Sequence, residues 1–186
     1  VKVEVSNGSE RILLSINPFI EPDTQNSAQT AAFVAQFITG KSLKDKDVVF
    51  SIQNTEAQLV GGPSAGAAFT GSTIAAIEKK QVRSDAAITG AIQADGKIGE
   101  IGGVIEKASA AAEQGLKLLV VPKGQSVFTF YEQKQERIQR GGFTIVRTFY
   151  VPKTVNLQDY LKQEGFNDLT ITEASNIQEA MQLMLE

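Results

Sequence analysis

The chain has 186 residues, 42% apolar and 21% charged, a net charge of −3 at neutral pH, and neither histidine nor cysteine. That length supports one sizeable core, no run approaches the ~18 consecutive apolar residues of a membrane span, and the scattered basic residues lack the footprint of a nucleic-acid binder. Without His and Cys, thiol chemistry, disulfides and nearly every zinc arrangement are excluded, leaving carboxylates for hard cations. The chain opens at Val1 rather than a methionine. The expectation is a processed or excised piece, with the compartment open between cytoplasmic and anchored through segments outside it.

Alternation of Val1, Val3 and Val5 with Lys2 and Glu4, then Asn7-Gly8 and an apolar stretch from Ile12 to Ile16, predicts an opening hairpin. Pro18 and Pro22 end it, and Asp23 or Thr24 is placed to cap a helix through Ala28, Ala31, Ala32, Val34, Ala35 and Ile38 that stops at Gly40. Val48 to Ile52 is a short strand. A polar connection then leads to Gly61-Gly62-Pro63-Ser64 and a small-residue helix from Ala65 to Lys80. Ala86 to Gly90 reads as a buried strand, and Ile92 to Ile101 as a hairpin turning at Asp95-Gly96. Gly102-Gly103 precede a helix from Val104 to Gln114, and Leu116 to Val121 is a continuous apolar strand. Further on, Val127 to Arg140 is read as helical, Phe143 to Val151 as a strand, Leu157 to Glu164 as a short helix and Leu169 to Thr172 as a strand. Asn176 to Glu186 reads as an amphipathic helix. Interleaved strands and helices predict one α+β (mixed α/β) domain over 1–186.

Gly62-Pro63-Ser64-Ala65-Gly66 fits G-x-S-x-G, a nucleophile turn, but no imidazole exists to form a Ser-His-Asp relay. A serine hydroxyl needs a base, so the candidates are Lys, Asp, Glu or an N-terminal amine. Glycines allow a sharp turn and close substrate approach, and backbone N–H groups there could hold an oxyanion. The plain alternative is a strand-to-helix turn with an N-capping serine. A phosphate loop is disfavoured because no G-K-[ST] ending follows, and Gly96 to Gly102 is a hairpin rather than a dinucleotide fingerprint. Lys107 is the preferred base: Ala108, Ser109 and Ala110 to Ala112 permit tight packing around its amine, whereas Lys79, Lys80, Lys117 and Lys123 sit near element ends. A general-base lysine must be neutral against an ordinary pKa near 10.4, which requires dehydration or nearby positive charge. The alternative is a surface lysine paired with Glu100, Glu106 or Glu113.

Together, Gly62 to Ala68, Ile88-Thr89-Gly90, Gly96-Lys97-Ile98 and Ile101 to Ala108 resemble the proteolytic domain of the Lon protease family in order and spacing. Ser64 and Lys107 stand 43 residues apart, the separation at which that family places its serine and lysine. The resemblance is firm from about Asp23 to Pro122 and weak beyond. It implies a Lon-type fold of mixed sheets packed on helices, and a serine endopeptidase in which Ser64 is the nucleophile and Lys107 the base. It further implies that Thr89 supports the lysine and that the Ser64 and Ala65 backbone forms the oxyanion hole. Polypeptide substrates, a homo-oligomer in the form of a six-membered ring, and no cofactor or metal in this domain follow from it too. ATP would enter only through a separate ATPase domain or subunit. Nucleic acid and membrane contact are not expected of this piece. The sequence departs from the family at Gly61 and Ala91, where many members carry acids, and 127–151 is expected to be an insertion or extension that covers the site or mediates assembly. A non-catalytic peptide-binding or assembly domain, and a phosphate-ligand module, remain as the alternative functions.

Overall fold

A computed structural model describes residues 1–15, 17–53 and 57–186; Ile16 and the middle of the predicted polar connection lie outside the described residues. The architecture is α+β, as expected. Its centre is β9 (Leu118–Pro122), every residue of which is buried. This strand lies between β6 (Ala86–Ile88) and β12 (Thr170–Ala174), parallel to both. Because strand side chains alternate, Leu118 and Val120 point into one apolar cluster and Leu119 and Val121 into another. The first cluster is closed by α2 (Gly66–Glu78) and α5 (Ile177–Met184), the second by α3 (Val104–Glu113) and α4 (Leu157–Gln163). A parallel strand covered on both faces accounts for the unbroken apolar run.

A second sheet forms the other end. Here the predicted opening hairpin is corrected: β1 (Lys2–Asn7) and β2 (Ile12–Leu14) do not pair with each other, because β4 (Lys46–Ser51) lies between them. It runs antiparallel to β1 and parallel to β2. The connection is not a two-residue turn but a loop wrapped around the buried carboxylate of Asp47, which accepts from the Ser9 and Arg11 backbone N–H groups and from the Arg11 guanidinium. These bonds to a carboxylate 36–38 residues away prevail over the turn that Asn7-Gly8 would otherwise make. This sheet packs on α1 (Pro22–Thr39) through Ala28, Ala31, Val48 and Phe50, with Phe50 tilted against Phe69 of α2 at 4.9 Å between ring centroids.

Helix α1 begins earlier than expected. Neither Asp23 nor Thr24 caps it: Glu21 is the N-cap, without a side-chain bond, and Pro22 takes the first helical position, where its missing N–H costs nothing. The stop at Gly40, in the left-handed conformation, is as predicted. The expected hairpin around Asp95-Gly96 is present as β7 (Ala91–Ile92) and β8 (Ile98–Gly99). A short parallel pair, β3 (Phe19–Ile20) and β5 (Leu59–Val60), flanks the start of α1.

The helix expected over Val127 to Arg140 is overturned. These residues form β10 (Val127–Arg140), paired in register along its whole length with β11 (Phe143–Asn156). The stretch from Glu132 to Arg140 is made of helix-tolerant residues. The Gly141-Gly142 turn, with both φ positive at 56° and 84°, brings the β-branched and aromatic partner strand alongside it, and cross-strand pairing prevails. The hairpin thus reaches residue 156, beyond the segment expected to be distinct. Among the described residues no helix is long and apolar enough to cross a membrane.

The Arg11 partnership and the backbone donors hold the Asp47 carboxyl well below the usual carboxylate range, with the Arg11 hydrogen bond the largest cause. A carboxylate whose folded pKa is depressed contributes stability above its unfolded value near 3.9, and that contribution is lost as pH falls below it. Asp47→Asn should therefore melt at a lower temperature than the parent at neutral pH, with the gap narrowing below about pH 4; thermal melts followed by circular dichroism across that range check it.

Candidate functional site

The loop before α2 is built for a close turn. Gly62 has φ 83° and ψ 161°, a conformation that side chains rarely tolerate, and it leads into a single 3₁₀ turn, Pro63–Ala65. At Gly66 an added Cβ would lie 2.7 Å from the Ile92 side chain and 2.8 Å from its backbone nitrogen, so only glycine lets α2 start this close to β7. The two glycines of G-x-S-x-G therefore have separate causes, one conformational and one steric.

The first turns of α1 hold that loop from the other side. The Glu21 N–H donates to the Val60 carbonyl at 3.0 Å, the fully buried Thr24 hydroxyl to the Gly62 carbonyl at 2.9 Å, and the Ser27 hydroxyl to Asp23 at 2.9 Å and to Pro63 at 3.4 Å. The Glu21 carboxylate also fills the space a side chain at 61 would need: a Cβ there would stand 1.7 Å from Glu21 Oε2. Sequence reading missed this clamp. Polar residues at a predicted helix start look like caps, and only the fold shows that their hydroxyls reach across to another segment.

On the far side of Ser64, β6 and the following residues fix the backbone. Gly90 N–H donates to the Ser64 carbonyl at 3.0 Å, and Ala67 N–H to the Gly90 carbonyl at 2.9 Å. Thr89 is buried, and its hydroxyl is directed at the Ser64 carbonyl at 3.5 Å. Among the described residues it makes no hydrogen bond to Lys107.

Lys107 lies in the first turns of α3, with Ala108 and Ala111 of the same helix turned into the core. Gly103, left-handed at φ 68°, starts the helix. The segment ahead of it is pinned by Gln125, whose amide accepts from the Ile101 N–H at 3.0 Å and donates to the Ile101 carbonyl at 2.8 Å. The Lys107 amine donates to the Gly102 carbonyl at 2.9 Å. Partial burial lowers its pKa from the ordinary lysine value, opposed by the neighbouring Glu106 carboxylate.

These segments face one another across a cleft of about 440 Å³, with Gly61 to Ser64 on one wall and Glu100, Ile101, Gly102 and Lys107 on the other. Ser64 and Lys107 are both half-buried there. A backbone oxygen, not the Ser64 hydroxyl, holds the amine in this state. A wider depression of about 600 Å³ lies elsewhere, between β1 and α2; its cations Lys2, Lys80 and Arg83 are each paired with a neighbouring acid, Glu4, Glu78 and Asp85. Among the described residues no group of three or more His, Cys, Asp or Glu could hold a metal ion.

The Thr24 hydroxyl is the buried partner of a carbonyl two residues before Ser64. Thr24→Val keeps the shape but strands that carbonyl, which should cost about 1–3 kcal/mol in urea unfolding, while Thr24→Ser should recover most of the loss.

Residues 29–129 match the Lon protease (S16) C-terminal proteolytic domain. Among curated proteins, the Lon protease of Metamycoplasma arthritidis is 47% identical over 62 residues, covering 33% of this chain and 7% of that protein. The Lon protease of Mesomycoplasma hyopneumoniae is 30% identical over 131 residues, 66% of this chain and 15% of that protein. The Archaeal Lon protease of Pyrococcus abyssi is 36% identical over 81 residues, 43% of this chain and 8% of that protein. The chain thus spans only a small part of the length of these relatives. The matched region contains Ser64, Thr89 and Lys107 and takes in more than half of the sequence, so this chain belongs to the Lon proteolytic-domain family.

Proposed function

We propose that this domain is a serine endopeptidase that cleaves polypeptides with a Ser64–Lys107 dyad. The observation that supports the reading is that two residues 43 positions apart line one cleft, one a hydroxyl on a glycine-framed turn and the other an amine whose pKa is lowered by burial. Family membership supports hydrolysis of peptide bonds as the chemistry.

In this reading neutral Lys107 leaves the Gly102 carbonyl, accepts the Ser64 proton as Oγ attacks the scissile carbonyl, and returns that proton to the leaving amine. Water then repeats the cycle on the acyl-enzyme, with the lysine again serving as base. The backbone N–H groups of Ser64 and Ala65, in the 3₁₀ turn that opens α2, serve as donors to the developing oxyanion; such donors are typically worth about 3–4 kcal/mol. Pro63 contributes no donor. Thr89 supports the site by steadying the Ser64 backbone and the adjoining wall. No cofactor enters the reaction, and coupling to ATP belongs to a separate ATPase domain or subunit. The domain works as a homo-oligomer on polypeptide substrates, with residues 127–156 as an extension of the proteolytic core. The hydrogen bond that ties the amine to Gly102 also suits the second reading, a domain that binds peptides or assembles without cleaving them.

Ser64→Ala and Lys107→Met should each reduce cleavage of an unfolded protein such as casein by at least about a thousandfold while leaving thermal melts near the parent's. Undiminished cleavage by either variant refutes the dyad, and an inactive parent that binds peptide favours the second reading. In the parent, kcat/KM should rise with pH to a plateau whose midpoint lies below the ordinary lysine value of about 10.4, because only the neutral amine acts as base.

A further inference from the structure

The β10–β11 hairpin is an arm with an apolar cluster on one face of its tip. Cross-strand partners share a face, which puts Ile138, Arg140, Phe143, Ile145 and Phe149 together on one side of the distal half. The other side mixes polar pairs, Gln135 with Thr148 and Gln139 with Thr144, with the exposed Tyr131, Val146 and Tyr150. Only the root of the apolar face is covered, where Phe128 meets Tyr160 edge-on at 5.8 Å. Beyond it Phe143 is 77% exposed and Ile145 53% exposed. Fourteen residues per strand extend roughly 46 Å, and a two-stranded ribbon of that kind has too little burial of its own to be stable in water.

Charge indicates what covers it. Residues 127–156 hold five basic and two acidic side chains, net +3, so the remainder of the chain carries −6. Both of the arm's acids, Glu132 and Glu136, lie with Lys134, Arg147 and Lys153 on this same face, a mixture that an acyl layer would reject and a protein surface with counter-charges would accept. The body has a surface of the complementary kind. Phe19 and Leu59, neighbours in the β3–β5 pair, are 72% and 57% exposed. They sit beside Glu21 and the exposed Asp23, neither of which makes an ion pair among the described residues.

We propose that the tip of this arm, centred on Arg140 and Phe143, docks on the acidic–apolar patch of Phe19, Leu59, Glu21 and Asp23 in a second copy of the chain. Tip and patch are different surfaces, so the contact is heterologous and repeats from copy to copy, closing into a ring or extending as a filament. Because the Glu21 carboxylate abuts Gly61 on the cleft wall, each arm lies at the rim of its neighbour's cleft. The contact gives a physical basis to the self-association proposed above and stands without the dyad.

Sedimentation of the chain and its variants tests this. The parent should self-associate, less so at high salt. Arg140→Glu and Asp23→Lys should each weaken association by tenfold or more, and an equal mixture of the two should regain it, since every arm then meets a patch of opposite charge. Phe143→Ser should weaken it without changing charge, and unchanged melts confirm that the variants are folded. A monomeric parent, an assembly indifferent to these substitutions, a mixture that stays dissociated, or a monomer whose Arg140 instead drives binding to anionic vesicles would each overturn the contact. Cleavage is read separately, so a monomer that still cleaves removes the contact and leaves the peptidase reading intact.

Discussion

The catalytic reading depends on a constraint that is not itself catalytic: the start of α1 grips the backbone ahead of Ser64. Glu21, Thr24 and Ser27 hold the carbonyls of Val60, Gly62 and Pro63, three of the four residues before the serine. Gly62 sits at a positive φ and Pro63 has no N–H to give, so beyond the Gly66 N–H that donates to the Pro63 carbonyl this loop relies on partners from outside it. Buried hydroxyls from a helix that is anchored in the β4 core provide the missing partners. From the opposite side Gly90 holds the Ser64 carbonyl, and the serine is fixed between two layers of the fold.

The lysine wall is organised by a different device. Ala108 and Ala111 seat α3 on β9, and Gln125 fastens Ile101 at both backbone groups, while the Lys107 amine is held by the Gly102 carbonyl. Its amine is only partly removed from water, and the result is a lowered pKa rather than a fully dehydrated base. Substrate would complete what the fold begins. In the proposed reaction a polypeptide filling the cleft would exclude solvent, weaken the charged form of the amine further and favour its move from a backbone oxygen to the serine hydroxyl.

Much of this was legible in the sequence because it depends on local rules. The apolar run at Leu118 to Val121, the Asp95-Gly96 turn, the stop of α1 at Gly40 and the amphipathic pattern from Ile177 to Met184 all express burial or turn chemistry that neighbours alone dictate. What was not legible required distant partners. Asp47 reorganised the first two strands around itself from about 36 residues away. The helix-like stretch from Glu132 to Arg140 became a strand because Gly141-Gly142 delivered a partner with stronger β preference. For the candidate site, the motifs picked out Ser64 and Lys107, which line one cleft, but the Thr24 clamp and the Gly102 hydrogen bond of the lysine exist only once α1 and α3 flank it.

The central claim is that Lys107 activates Ser64, and the most direct measurement is the pH dependence of covalent labelling by a fluorophosphonate, with the modified residue identified by mass spectrometry. The account predicts labelling at Ser64 alone, at a rate that climbs with a midpoint below the ordinary lysine value and collapses in Lys107→Met. Labelling of another serine, or an unchanged rate at Ser64 when the lysine is replaced, would contradict it.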